Sequence, residues 1–128
     1  MKTNELMIGD WVNYRGTTIR VTSLYAKSGC NEVGFGIKEE TWVDGDHIKP
    51  IPITPEILEK NFEPKGKRWY WGDEFSDINI DEFTDGLWEV TVWDVEIGML
   101  DCKIYISYVH ELQHVLELCG IDRLEVRV

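Results

Sequence analysis

The residues whose types and spacing could do chemistry are His110, Glu111 and His114, which form the pattern His-Glu-x-x-His. Side chains four positions apart on a helix project from the same face, so both imidazoles could bind one Zn²⁺. Glu111 stands where the general base of a zinc peptidase would stand. One hypothesis is therefore a zinc-dependent metallohydrolase, with His110 and His114 as metal ligands and Glu111 as the catalytic residue.

The third zinc ligand is not identified by the spacing of the motif. A catalytic zinc site usually has three protein ligands and an open position for water. A metzincin-type extension would require Gly at position 117 and His at 120, but the chain has Glu117 and Gly120. The remaining candidates are His47, Glu117 or an acid from residues 73–85. The alternative is that the two histidines and Glu117 form a solvated polar face and bind no metal.

The motif lies in the stretch that most clearly predicts a helix, residues 107–120. Ser107 is suited to cap the N-terminus, and Gly120 tolerates the left-handed conformation that ends a helix. Apolar residues follow helical spacing and form a stripe about 120° wide that must pack against a core. The members of this stripe are Tyr108, Val109, Leu112, Val115, Leu116 and Cys119. His110, His114 and Glu117 fall on the opposite side, so we predict that they are exposed.

Length and composition indicate an ordinary folded protein. The chain has 128 residues, of which 43% are hydrophobic, so a packed core is expected. No apolar run is long enough to span a membrane, and no signal peptide is recognisable, which predicts a cytoplasmic protein. Cys30, Cys102 and Cys119 are odd in number and far apart, which fits reduced, mostly buried thiols better than a disulfide framework.

The net charge of −11 is concentrated in the second half of the chain. Residues 1–53 carry a net charge of −1 and residues 54–128 carry −10. Sequence-independent binding to phosphates needs a positive surface, so the composition argues against nucleic acid as a partner. An acidic surface favours a basic protein partner, or serves solubility alone. The oligomeric state is not indicated.

Residues 1–53 predict a small β-barrel. The opening Ile-Gly-Asp-Trp-Val, followed by a Gly turn and a second strand, is similar to the first hairpin of SH3-like barrels. Short strands separated by Gly-rich turns suggest closure of such a barrel. We predict strands within 7–14 and at 17–25, 33–37 and 41–43, and a tight turn at 44–46.

Residues 54–128 predict an antiparallel sheet packed with one short and one long helix. A Pro-rich connector at 50–53 marks the boundary, because Pro restricts itself and its predecessor. Thr54 caps a short helix that runs to Asn61. Strands are predicted at 67–71, 87–95, 102–106 and 124–128, with 75–83 either strand or irregular. The cluster Trp69-Tyr70-Trp71 is predicted to pack in the core or at an edge, with Tyr70 on the opposite face.

The chain resembles a family of small uncharacterised proteins from Bacteroides-group bacteria, their prophages and mobile elements. The resemblance is carried by residues 1–12, 48–62 and 108–121, the last reading Tyr-Val-His-Glu-Leu-Gln-His-Val-Leu-Glu-Leu-Cys-Gly-Ile. It implies no activity. Other members read Tyr-Val-His-Gln-Leu-Gln-Asn at this helix, so the resemblance implies that Glu111 and His114 are dispensable.

Two functions are therefore carried forward from the sequence. The first is a non-catalytic accessory or protein-interaction protein of a phage or mobile element, which binds a basic partner through its acidic second half. The second is the zinc hydrolase of His110, Glu111 and His114. The fold expected for both is α+β, with an SH3-like barrel at 1–53 and an α+β part at 54–128.

Overall fold

The computed structural model describes residues 1–36 and 39–128, and these form two compact units. The first unit consists of Met1–Ile51 and Tyr108–His110, and the second of Pro52–Ser107 and Glu111–Val128. The described residues contain two five-stranded antiparallel sheets and two α-helices, so the predicted α+β class is confirmed. The domain boundary that the sequence places after residue 53 stays a prediction.

The first unit is built on one antiparallel sheet in which the first and last strands pair. The strand order is β4-β3-β2-β1-β5. Its strands are β1 (Trp11–Tyr14), β2 (Thr17–Lys27), β3 (Cys30–Phe35), β4 (Thr41–Asp44) and β5 (Ile48–Lys49). The predicted strands are present, although β3 begins three residues earlier than expected and Ile37 lies outside the described residues.

The core of the first unit comes from alternating apolar residues of these strands. Its buried members are Leu6, Val12, Ile19, Val21, Val33 and Ile48. The predicted tight turn at 44–46 is a 3-10 helix, Gly45–His47, because the Asp44 side chain accepts the Asp46 N–H and caps it. His47 lies on this segment and is exposed.

The second unit contains a meander of five consecutive strands in the order β10-β9-β8-β7-β6. They are β6 (Glu63–Lys65), β7 (Arg68–Gly72), β8 (Ser76–Thr84), β9 (Leu87–Asp94) and β10 (Met99–Ile106). The prediction missed β6, where Pro64 reads as a stop. Pro is tolerated there because β6 is an edge strand, which does not need every N–H in the ladder.

One face of this sheet is apolar and buried. Trp88, Val90 and Val92 alternate along β9 and are 4%, 0% and 0% exposed, which confirms the predicted face. Ile80 and Ile78 of β8 pair with Val90 and Val92 and are also fully buried. The interior of the second unit is therefore organised on these cross-strand pairs.

The two helices begin and end close to where the sequence places them. The first helix, α1 (Pro55–Asn61), is capped by Thr54, whose hydroxyl accepts the Ile57 N–H at 3.3 Å. The second, α2 (Val109–Leu118), is shorter at both ends than the predicted 107–120. Gly120 has a φ of 68°, and the Ile121 N–H bonds to the Leu116 carbonyl at 2.8 Å, as in a glycine-terminated helix.

The strand predicted at 124–128 is wrong, because within the described part of the chain this segment joins no sheet. The side chain of Asn61 pairs with it instead. Its amide donates to the Arg127 carbonyl at 2.8 Å, and its oxygen accepts the Arg127 N–H at 2.7 Å. The Asn61 side chain thus bonds to both backbone polar groups of Arg127, which in a β-strand would bond to a neighbouring strand.

Candidate functional site

The His-Glu-x-x-His motif lies on the first two turns of α2. His110 is only 7% exposed, so the prediction that it faces solvent is wrong. His114 is half-buried, and Glu117 is exposed as expected. The apolar stripe predicted for the other side of the helix is buried at Val109, Leu112, Val115 and Leu116. Its two end members are less buried, since Tyr108 is 37% exposed and Cys119 is half-buried.

A helical wheel places His110 by its angle on α2 alone and does not show which side chains pack around it. Tyr108–His110, which include the first two residues of α2, are grouped with the first unit. Within this segment, the rings of Tyr108 and His110 stack with centroids 5.9 Å apart and planes at 15°.

Glu111 has a structural role that the motif does not predict. Its Oε1 accepts the Ser107 N–H at 3.0 Å. The N–H groups at the start of a helix lack partners within the helix, so a side-chain acceptor there is stabilising. A negative charge in the first turn also interacts favourably with the helix dipole. The carboxylate of the proposed general base thus holds the start of α2.

The described residues do not assemble a three-ligand zinc site around the two histidines. In residues 1–36 and 39–128, no group of three His, Cys, Asp or Glu side chains is placed to hold one metal ion. Among the candidates for the third ligand, His47 is exposed on its 3-10 segment and Asp73 is bonded to Arg123. Because a catalytic zinc needs three protein ligands, these residues give the hydrolase hypothesis no geometric support. Zinc binding by His110 and His114 stays an untested prediction.

The most prominent surface feature of the second unit is a cluster of exposed apolar side chains around the β9–β10 turn. We call this cluster the hairpin patch. Four of its members lie on the hairpin and the fifth lies just before β8. They are Phe75, Trp93, Val95, Ile97 and Leu100, with exposures between 40% and 65%. Clusters of exposed large apolar groups commonly mark interaction sites, whereas single exposed ones are ordinary.

The hairpin patch is held by a defined turn and by strand register. Asp94 Oδ1 accepts the N–H groups of Glu96 at 3.0 Å and Ile97 at 3.2 Å. Trp93 and Leu100 are directly paired across the two strands, so their side chains share a face. The Val95 N–H bonds to the Phe75 carbonyl at 3.0 Å, which places Phe75 beside the hairpin. These contacts position the apolar side chains on an ordered backbone.

Acidic residues are interspersed with the apolar residues of the hairpin. Residues 93–101 contain three carboxylates, on Asp94, Glu96 and Asp101, and no Lys or Arg. The guanidinium of Arg123 lies 5.3 Å from the centre of the Phe75 ring, and it is paired with Asp73. The hairpin therefore exposes apolar side chains in a segment whose formal charges, between positions 93 and 101, are all negative.

The pKa of Asp73 reflects its hydrogen bonds to Arg123 and to the backbone. Desolvation raises the pKa of this carboxyl, but hydrogen bonds from Arg123 and from the N–H groups of Phe75 and Ser76 outweigh it and leave the pKa below its usual value of 3.8. The two backbone bonds are both 2.9 Å long. Asp73 thus remains ionised and neutralises Arg123 over the physiological range.

The Trp69-Tyr70-Trp71 cluster alternates across β7 as predicted. Trp69 and Trp71 pair with the buried Ile80 and Ile78, and Tyr70 projects from the other face. The Tyr70 hydroxyl donates to Asp77 Oδ1 at 2.7 Å, and this hydrogen bond, followed by desolvation, raises the Tyr70 pKa. Lys65 Nζ lies 3.8 Å from the centre of the Tyr70 ring. The Tyr70 side chain thus interacts with Asp77 through its hydroxyl and with Lys65 through its ring.

Sequence reasoning missed the hairpin patch. It identified the acidic half of the chain but not the exposed apolar side chains of the patch, because the turn at 95–98 looks like an ordinary connection between two strands. The available signal was the run Trp93 to Leu100, in which apolar residues continue through the turn where polar residues are usual.

No protein-family model, curated protein or solved structure matches the chain. In the described residues, no helix has the length and apolar character needed to cross a membrane.

Proposed function

We propose that this protein is a non-catalytic interaction protein, and that the hairpin patch binds a basic, apolar segment of another protein. The observation that carries the proposal is that five exposed apolar side chains lie on and beside a hairpin whose charged residues between positions 93 and 101 are all acidic. The apolar side chains supply affinity through burial, and the carboxylates select a partner of opposite charge and speed its association.

The position of β10 suggests how the partner segment binds. β10 is an edge strand of its sheet, and most of its residues are exposed. An edge strand offers backbone N–H and carbonyl groups to an extended segment, which can add to the sheet as a further strand. We infer that the partner segment is extended, with its apolar residues on Trp93 and Leu100 and its basic residues near Glu96 and Asp101.

The test uses a short synthetic peptide in which Leu and Lys alternate. We expect this peptide to bind the protein, and a peptide in which Leu and Glu alternate to fail. Ile97→Ser should weaken binding by at least ~5-fold, as expected for an apolar contact at an interface. Ile8→Ser is the matched control, because Ile8 is 69% exposed in the first unit and Ile97 is 65% exposed.

The outcomes of this experiment separate the alternatives. Equal losses for Ile97→Ser and Ile8→Ser, or equal binding of the two peptides, would contradict the proposal. Tight binding of the protein to bare DNA or RNA would also overturn it. Both serine variants should retain the stability of the parent protein within ~0.5 kcal/mol, because the replaced side chains are exposed.

We also propose that the first unit is an SH3-like barrel. The proposal is supported by the pairing of β1 with β5, which draws a five-stranded antiparallel sheet towards closure. A bulge between Val21 and Ser23 adds a bend to the long β2 strand. This proposal concerns architecture and assigns no ligand to the first unit, because the fold alone does not identify a function.

The resemblance to small proteins of Bacteroides-group bacteria, prophages and mobile elements remains part of the proposal. Those proteins carry Gln in place of Glu111, and the amide oxygen of Gln can still accept the Ser107 N–H that Glu111 accepts here. The substitution would therefore keep the start of α2 while removing a catalytic carboxylate. This supports a role without catalysis, and a cytoplasmic location remains the prediction from the sequence.

A further inference from the structure

Cys102 and Cys119 are directed into the same interior, that of the second unit. Cys102 pairs with Val92 across β10 and β9, and Val92 pairs with Ile78, so the three side chains share the buried sheet face. Cys119 follows Val115 by four positions and Leu116 by three, and both of these residues are buried. The helical spacing therefore turns Cys119 towards the core as well.

The two thiols meet in this interior. The Cys102 side chain is a neighbour of the Cys119 thiol and contributes to raising its pKa, and both cysteines are free and half-buried. Cys30, the third cysteine, is also free and half-buried but belongs to the first unit. The second unit thus contains two neighbouring thiols that face one interior, and Cys30 serves as an internal reference.

We propose that Cys102 and Cys119 are a reversible oxidation site, at which a small disulfide oxidant such as oxidised glutathione converts the two thiols into an intramolecular disulfide. The bond would tie the end of α2 to the edge strand β10. This inference is independent of the partner-binding role of the hairpin patch.

The reaction proceeds in two exchanges. The Cys102 sulfur attacks one sulfur of oxidised glutathione, which forms a mixed disulfide and releases one glutathione thiolate. The Cys119 thiol then loses its proton, and its sulfur attacks Sγ of Cys102 and releases the second glutathione thiolate. Two protein thiols lose two electrons and two protons, and one oxidised glutathione becomes two reduced molecules.

The order of the two steps follows from the environment of Cys119. Burial, followed by the effects of the Cys102 thiol and of Asp101, raises the pKa of Cys119 to about 11. Since the thiolate is the attacking species, Cys119 is a poor first nucleophile at neutral pH. Cys102 therefore takes the first step, and closure of the disulfide accelerates as pH rises.

The experiment treats the folded full-length protein with oxidised glutathione and digests it without reduction. Mass spectrometry should find one peptide pair joined through Cys102 and Cys119, and an intact protein that has lost two hydrogen atoms. Cys30 should remain a thiol or carry a glutathione adduct. Added dithiothreitol should restore the original mass, and the product should run as a monomer on a non-reducing gel.

Single substitutions separate the roles of the two sulfurs. Cys119→Ser should accumulate a stable glutathione adduct at Cys102, whereas Cys102→Ser should leave Cys119 largely unmodified. A wild-type protein that gains only glutathione adducts, that crosslinks between molecules, or that joins Cys30 as readily as Cys119 would overturn the proposal. These wild-type results decide the question even where a serine variant does not fold.

Discussion

Glu111 occupies the catalytic position of its motif, yet its carboxylate bonds to the Ser107 N–H at 3.0 Å. Such contacts at a helix start typically contribute roughly 0.5–2 kcal/mol. We expect Glu111→Ala to lower the free energy of unfolding by about this amount, and Glu111→Gln to lower it less, because Gln keeps an acceptor oxygen. Urea denaturation measures both values.

Glu117→Ala is the control for this prediction, because Glu117 is on the same helix and exposed. It should change the stability by less than ~0.5 kcal/mol. Losses of equal size for Glu111→Ala and Glu117→Ala would show that the Ser107 contact contributes nothing. A peptidase activity abolished by Glu111→Gln in a fully folded protein would restore the zinc hydrolase hypothesis.

Cys119 provides a prediction about pH. Its pKa is raised from 9.0 to about 11, chiefly by burial, so in the unfolded chain the thiol releases its proton at lower pH than in the folded chain. Its contribution to stability is therefore fully present below about pH 9 and is lost as pH rises through about 11. Alkylation of folded Cys119 by iodoacetamide should accelerate over the same interval.

The urea-unfolded protein is the control for the alkylation of Cys119. In that state the rate should rise at lower pH, because the thiol is no longer buried. Mass spectrometry of the peptide that contains Cys119 follows the reaction in both states. Identical pH profiles for folded and unfolded protein would contradict the described environment of this thiol.

At the scale of elements, the part of α2 that belongs to the second unit buries one apolar stripe. Leu112 and Leu116 are 0% and 3% exposed, whereas Leu118 on the same helix is 83% exposed. We expect Leu112→Ala and Leu116→Ala each to cost ~2–5 kcal/mol of stability, because each removes packed atoms from a filled interior. Leu118→Ala should cost less than ~0.5 kcal/mol. Thermal or urea unfolding measures the stability of the three variants. Equal losses of stability for all three would mean that the buried face of α2 has been assigned wrongly.

Element boundaries were predictable where local chemistry determines them. Thr54 followed by Pro55 marks the start of α1, and Gly120 marks the end of α2, as the structure bears out. Prediction failed where a distant group satisfies the backbone. The amide of Asn61 bonds to Arg127, 66 positions away, and no local pattern indicates that contact.

At the scale of the whole molecule, the sequence predicts the fold class and the buried faces better than it predicts the exposed surfaces. The α+β class and the buried face of β9 follow from alternation and helical spacing. The burial of His110 does not, because a helical wheel cannot show which side chains pack around one position. The hairpin patch also needed the structure, since it joins Phe75 to residues about twenty positions later.

The uneven charge of the chain gives a prediction for partner binding. Residues 54–128 carry a net charge of −10, and the hairpin patch lies among them. Affinity for the alternating Leu-Lys peptide should fall as salt rises past physiological strength, because screening weakens exposed charge pairs. Glu96→Gln should weaken both the affinity and its dependence on salt. Binding that is indifferent to salt would mean that the carboxylates of the hairpin play no part.

The most direct test of partner binding by the hairpin patch is a map of amide chemical shifts during titration with the Leu-Lys peptide. We predict that the largest changes occur at residues 93–106 and at Phe75, with the amides of β10 among them. Amides of the first unit, including Ile8, should change little. Changes concentrated on α2 around His110 and His114, or on the first unit, would contradict the assignment of the binding surface to the β9–β10 hairpin.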